Sequence, residues 1–159
     1  MGRCRYHLSM KKKELFVLLQ PMLDQFYQLA YSLLPDELEA EQLVIDSVSG
    51  FIVKERKWLS KLEMSEGADT VYKRQFFQKV VLHLYGLGQK RVVHFKFDKA
   101  GPFYQLPIKT RAILTLRYHM NYTPIQIEDL LGIARWEVVE GLHNGRFMLS
   151  SQFNQGKTT

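Results

Sequence analysis

Between Leu106 and Leu149 the chain reads LPIKTRAILTLRYHMNYTPIQIEDLLGIARWEVVEGLHNGRFML, and this stretch limits the possible folds more than any other. Its apolar residues recur at helical spacing in three successive blocks. The first block holds Ala112, Ile113, Leu116, Tyr118 and Met120. It opens at Pro107, a residue suited to a first helical turn because the missing N–H would have had no partner there. A short second block carries Ile125, Ile127, Leu130 and Leu131, with Thr123 as N-cap and Pro124 as the first helical residue. Gly132 supplies a tight turn, Ile133 plugs the core, and Val138, Val139, Leu142 and Phe147 mark a third helix. Short helix, glycine turn and longer helix make a helix-turn-helix, whose second helix can enter a DNA major groove.

This block resembles the C-terminal DNA-binding region of bacterial sigma factors of the extracytoplasmic-function type. That family reads L-P, then an R-A-hydrophobic-L-L-R-Y helix, then S-x-x-E-I-A-x-x-L-G-I and a T-V-K-x-R-L-H-R-A-R recognition helix. The residues that match are Leu106, Pro107, Arg111, Ala112, Leu114, Leu116, Arg117 and Tyr118, followed by Ile127, Leu131, Gly132, Ile133, Val138, Leu142, His143 and Arg146.

A chain of 159 residues suits one ordinary domain or two small helical ones. With 46% hydrophobic residues it can build packed cores, and 22 Lys and Arg against 16 Asp and Glu give a net charge of +6. That balance is compatible with nucleic acid without requiring it. A single cysteine, Cys4, excludes an internal disulfide framework and a cysteine-based zinc site. No apolar run approaches a membrane span and no signal peptide is visible, so a cytoplasmic location without membrane insertion is expected.

Residues 1–13 have no periodicity and read as a flexible arm, with Met10 an alternative start and Lys11, Lys12 and Lys13 a solvated tail. A helix follows from about Glu14, carrying Leu15, Phe16, Leu18 and Leu19, and Pro21 interrupts or kinks it. A second amphipathic run from Leu23 to Leu34 ends at Pro35-Asp36. In the next helix Leu38, Leu43, Val44, Val48, Ile52 and Trp58 mark the expected buried side, with Glu39, Glu41 and Asp46 on other faces. Lys54, Arg56 and Lys57 fall near its C-terminal end, where cations suit the helix dipole.

The segment FYQLAYSLLPDELEAEQLVIDSV extends the resemblance, since it is similar to the family's core-polymerase-binding region, Y-x-L-A-x-x-L-L-x-D-x-x-x-A-E-D-L-V-Q-E-x-F. Tyr27, Leu29, Ala30, Leu33, Leu34, Asp36, Ala40, Glu41, Leu43, Val44 and Asp46 match it, whereas Gln42 and Ile45 depart from it. The resemblance implies that Glu41, Leu43, Val44 and Asp46 face core RNA polymerase.

A loop is expected over Leu59–Thr70, around Gly67, and then a helix with Val71, Phe76, Phe77, Val80, Val81 and Leu84 at core spacing. By resemblance that helix helps to open the minus-ten promoter element, with Lys73, Arg74, Lys79 and His83 turned to DNA. Rings interleaved with cations suit a single strand, because rings stack on bases while cations meet phosphates; Phe77 is assigned to the core, and Tyr72 and Phe76 fit either role. Gly86 and Gly88 are expected to close the helix. Residues 89–105 then form a linker, with Val93, Phe95 and Phe97 alternating as in a short extended piece.

The recognition helix departs most from the family. Val139 stands at the family's lysine, Glu140 at a small polar position and Gly141 at its arginine, and Asn144-Gly145 replace R-A. Arg135 is suited to reading guanine, Trp136 to the sugar-phosphate wall, Glu137 to accepting from cytosine N4, and His143 and Arg146 to the backbone. Glycine inside a helix costs roughly 1 kcal/mol relative to alanine. The five histidines are scattered, and no serine elbow, Walker loop or acid pair stands out, so neither catalysis, a metal nor a cofactor is expected.

The expectation is therefore an all-α protein of two small helical domains joined by a linker: residues 14–88, linker 89–105, and a helix-turn-helix domain over 106–159. Two functions follow from the resemblance. One is a sigma factor that brings core RNA polymerase to promoter DNA, with an anti-sigma protein as a further partner. The other is a sigma-derived interaction protein that has lost promoter recognition.

Overall fold

The computed structural model describes residues 15–62, 70–97 and 101–155. The N-terminal arm, Glu14, most of the loop around Gly67 and the last four residues lie outside that range. The described residues are mostly helical and include no strand, which fits the all-α class.

Residues 15–19 form a helical turn that Pro21 converts into a 3-10 turn, Gln20–Met22, before helix α1, Leu23–Leu33. Helix α2, Glu37–Lys54, starts where the Asp36 side chain accepts from the Glu39 N–H at 3.0 Å. Glu37 and Glu39 in its first turn and Lys54 in its last complement the helix dipole. After a single turn residue at Glu55 comes α3, Arg56–Leu62, so the expected loop is helical at its start. Helix α4 runs from Thr70 to Val92.

The second half begins with a 3-10 turn, Pro102–Gln105, and α5, Ile108–Leu114, which widens into a π-helical segment over Thr115–His119. Helix α6, Pro124–Leu131, has a complete capping box between Thr123 and Gln126, with Pro124 in its first turn. Gly132, at φ 63°, closes it in the left-handed region that favours glycine, and α7 then spans Arg135–Gln155.

Glycines 86 and 88 do not end α4. At Gly88 a Cβ would lie 2.7 Å from Leu33 Cδ1, so this glycine lets α4 cross close to α1 while the helix continues. Gly141 and Gly145 serve α7 in the same way: a Cβ would approach Ile113 Cδ1 to 2.6 Å and Leu114 Cδ1 to 2.8 Å respectively. The propensity lost at these two positions is the cost of seating α7 on α5. Gly86 has open space around it. Gly86→Ala is therefore expected to raise stability by about 1 kcal/mol. Gly145→Val should lower it by about 1–3 kcal/mol through overpacking, both read from urea midpoints.

Helices α1, α2 and α4 pack on one another, and α7 packs on both α5 and α6. The two groups are not held apart by a tether. Helix α1 lies against α5 and its π-helical extension, α4 lies against α6, and the buried residues from Leu18 to Leu142 form one continuous core. Phe26 stacks on Phe77 at 5.2 Å, and Phe77 on Tyr122 at 6.0 Å. Across the same seam Gln78 donates to Asp129 O at 3.0 Å, and buried Arg111 donates to Ser32 O and Leu33 O at 3.1 and 2.9 Å. The expected linker is absorbed at its start, since Gln89–Val92 complete α4.

The physical reason for the correction is that α1 and α4 each bury one wide face, Phe26, Leu29, Ala30 and Leu33 on α1 and Phe76, Phe77, Val80, Val81, Leu84 and Tyr85 on α4. Such a face is broad enough to meet the first group along one side and α5 or α6 along the other. Helix phase also corrects several expected core residues: Leu38, Val71, Tyr118, Ile125, Val139 and Phe147 are exposed. No described helix is long and apolar enough to cross a membrane.

Candidate functional site

Two helix faces carry most of the residues singled out in the sequence, and the structure redraws both. On α2 the buried stripe is Ala40, Leu43, Val44, Ser47 and Phe51. Leu43 and Val44 therefore sit in the core and cannot face a partner, which corrects half of the expected polymerase patch. The opposite side of the helix carries Leu38, Ile45 and Val53, exposed by 73, 55 and 64%. Seven and eight residues apart, they line up along the helix, with exposed Glu41, Gln42 and Ser49 between them. The signal was present in the sequence: Ile45, a departure from the family pattern, lies two turns from Leu38.

Glu41 is exposed, as expected for a partner-facing acid. Asp46 is half-buried, accepts from Gln42 at 2.9 Å and pairs with Arg91 near the end of α4. Those hydrogen bonds, Arg91 first, hold its carboxyl below the ordinary value. Asp46 thus ties α2 to α4 and has less to offer a partner than Glu41.

Of the four cations expected to face DNA on α4, Lys73 and Arg74 are exposed near its start. Lys79 is engaged within the fold, with Nζ 3.8 Å from Glu55 and 5.8 Å from the Trp58 ring centre. His83 packs beside Gly50 of α2, where burial, then Lys54 and Lys90, push its pKa down and favour the neutral ring. Phe76 and Phe77 are both core residues. Tyr72 lies 6.4 Å from Trp58 in a small aromatic cluster with Phe51 and Phe76.

On α7 the first turn is locked. Glu137 accepts from the Ala134 N–H at 2.9 Å and pairs with Lys109 of α5 at 2.7 Å. A glutamate at the third helical position closing back on the preceding N–H is half of a capping box, so its carboxylate starts the helix and does not read a base. Lys109 and the Ala134 N–H, in that order, lower its pKa. The capping bond is accordingly present above the ordinary carboxylate range and lost as pH falls through the depressed folded value. Glu137→Ala should speed hydrogen exchange at the Ala134 amide at neutral pH, and acidifying the wild type should do the same.

Arg135 pairs with Glu128 of α6 at 3.0 Å, which partly neutralises the expected guanine reader. Trp136 and Phe147 are each 67% exposed, and with Val139, Glu140 and His143 they line one side of α7. Arg146 donates from Nε to Leu142 O at 3.1 Å and lines a cleft shared with α1. The helix pair thus presents a mixed surface, more apolar than basic, held to the core by close glycine contacts. Among the described residues, no group of three His, Cys, Asp or Glu side chains is placed to hold a metal.

No protein-family model matches the chain, and no curated protein is significantly similar to it.

Proposed function

We propose that the chain is a sigma-like subunit that binds core RNA polymerase through α2 and promoter DNA through the α6–α7 pair. The observation that carries this reading is the apolar stripe Leu38, Ile45 and Val53 on a helix whose exposed N-terminal half is acidic. Three exposed aliphatic residues in line, flanked by Glu39 and Glu41, suit a partner helix that offers apolar and basic residues together. The resemblance assigned polymerase binding to this same helix. Promoter contact is supported by the left-handed Gly132 turn and by α7, whose solvent side carries Arg135, Trp136 and His143. Such a protein works in the cytoplasm.

A second reading is favoured by the composition of α7. Trp136, Val139 and Phe147 are apolar, and Arg135 is already paired with Glu128. That surface suits a protein partner better than a phosphate backbone, as in a regulator that keeps polymerase binding without promoter recognition.

Pull-down with core polymerase and run-off transcription from selected promoters separate the two. Leu38→Asp with Ile45→Asp should weaken polymerase retention by about a hundredfold, because both sites lie on the surface and burying either charge there is costly. Unchanged retention would remove α2 from the interface. Polymerase binding without transcription from any selected duplex would favour the regulator.

A further inference from the structure

A cleft of about 650 Å³ opens where the two helical groups meet, away from the exposed stripe of α2. Its size falls within the ~300–1,000 Å³ common for small-ligand sites. Tyrosine and phenylalanine rings line two of its sides. Helix α1 supplies Tyr27 and Tyr31, tilted with ring centres 6.0 Å apart. The 3-10 turn supplies Phe103 and Tyr104, edge to face at 5.1 Å.

The third wall has a feature of its own. Helix α5 does not end regularly but widens into the π-helical segment, where Met120 N donates to Thr115 O across five residues. This segment brings Tyr118 and His119 to the cleft, and Asn121, at φ 59°, turns the chain away after it. Such widened turns have poorer hydrogen-bond geometry than an α-helix and occur frequently at functional sites. Among the described lining residues Arg146 of α7 is the one permanently charged side chain, and none is acidic. Its Nε is anchored to Leu142 O, which engages one of the five N–H groups in the guanidinium fork. Asp36, Glu37 and Glu41 act electrostatically on the Tyr27 hydroxyl from outside the lining.

We propose that this cleft binds a small planar aromatic molecule carrying one anionic group, a carboxylate or a phosphate. The ring system stacks between the tyrosine and phenylalanine walls, and the anion meets the Arg146 fork. Because α1 and α7 line the same space, the bound molecule bridges the two groups and favours their docked arrangement. The site stands on its own lining residues and does not depend on what α2 binds.

The test is titration of the full chain with 2-naphthoate, 2-naphthyl phosphate, neutral 2-naphthylmethanol and cationic 2-naphthylmethylammonium, followed by calorimetry. At least one anion should bind about tenfold tighter than the cation, the effect of one charge-assisted pair. Which anion binds more tightly distinguishes carboxylate from phosphate. Arg146→Gln should abolish the preference for the anion, and Tyr118→Ala should weaken all binding about fivefold through lost stacking. Both side chains are exposed, and circular dichroism verifies that the variants remain folded. Equal affinity for anion and cation, no binding of either anion, or a preference that survives Arg146→Gln would overturn the proposal.

Discussion

Replacing Arg111 by alanine should destabilise the protein by about 3 kcal/mol, a large part of the total for a domain of this size. The side chain is 2% exposed and holds the last carbonyls of α1, those of Ser32 and Leu33, from the far side of the seam. Carbonyls at a helix C-terminus lack intrahelical partners, so these bonds meet an existing need. Hydrogen bonds to a charged group contribute roughly 1.5–3 kcal/mol each. The rings of Phe97 and Tyr104, centred 4.9 and 5.7 Å from the guanidinium carbon, add cation–π attraction.

Opposing this, burial penalises the charge and lowers the Arg111 pKa to about 10, and its Nε has no hydrogen-bond partner among the described residues. The expected loss is therefore smaller than the sum of the contacts. Arg111→Met, which retains bulk but not the donors, should fall between wild type and Arg111→Ala. Urea unfolding measures both, and a loss below about 1 kcal/mol for Arg111→Ala would mean that the carbonyl bonds barely exceed the desolvation cost.

Phe26→Ala should cost about 3–5 kcal/mol, the range for emptying a fully buried aromatic site. Phe26 is 0% exposed, and through Phe77 it connects α1 to α4 and to Tyr122 before α6. Its removal weakens both groups at once. The chain has two tryptophans, and they fall one in each group: Trp58 in α3 and Trp136 in α7. Variants retaining one tryptophan each should report the same urea midpoint, and Phe26→Ala should shift both midpoints equally. Midpoints that separate would mean that the seam is too weak to join the groups in one cooperative unit.

The seam also bears on the proposed promoter binding. With Gly132 beside Leu82 of α4 and Glu137 tied to Lys109, the α6–α7 pair is held as part of one body. Any partner of α7 therefore meets a surface already positioned relative to α2.

Local chemistry in the sequence determined the helices and many of their ends. The Thr123-Pro124 pair and Gly132 act within a few residues of themselves, so their cap and turn appear where the spacing predicts, and Asp36 caps α2 just as locally. Apolar periodicity likewise determined the all-α class. Only the tertiary structure decided which face of each helix is inside. Ala40, Ser47 and Gly88 are buried, whereas Leu38 and Ile45 are exposed, because α2 turns the side carrying Leu43, Val44 and Phe51 to its neighbours and Leu38 and Ile45 lie opposite it. Long-range contacts decided the rest: the single core, the continuation of α4 past its glycines, and the placement of Arg111 beneath α1. These depend on residues about fifty to eighty positions apart, whose pairing leaves no period in either stretch.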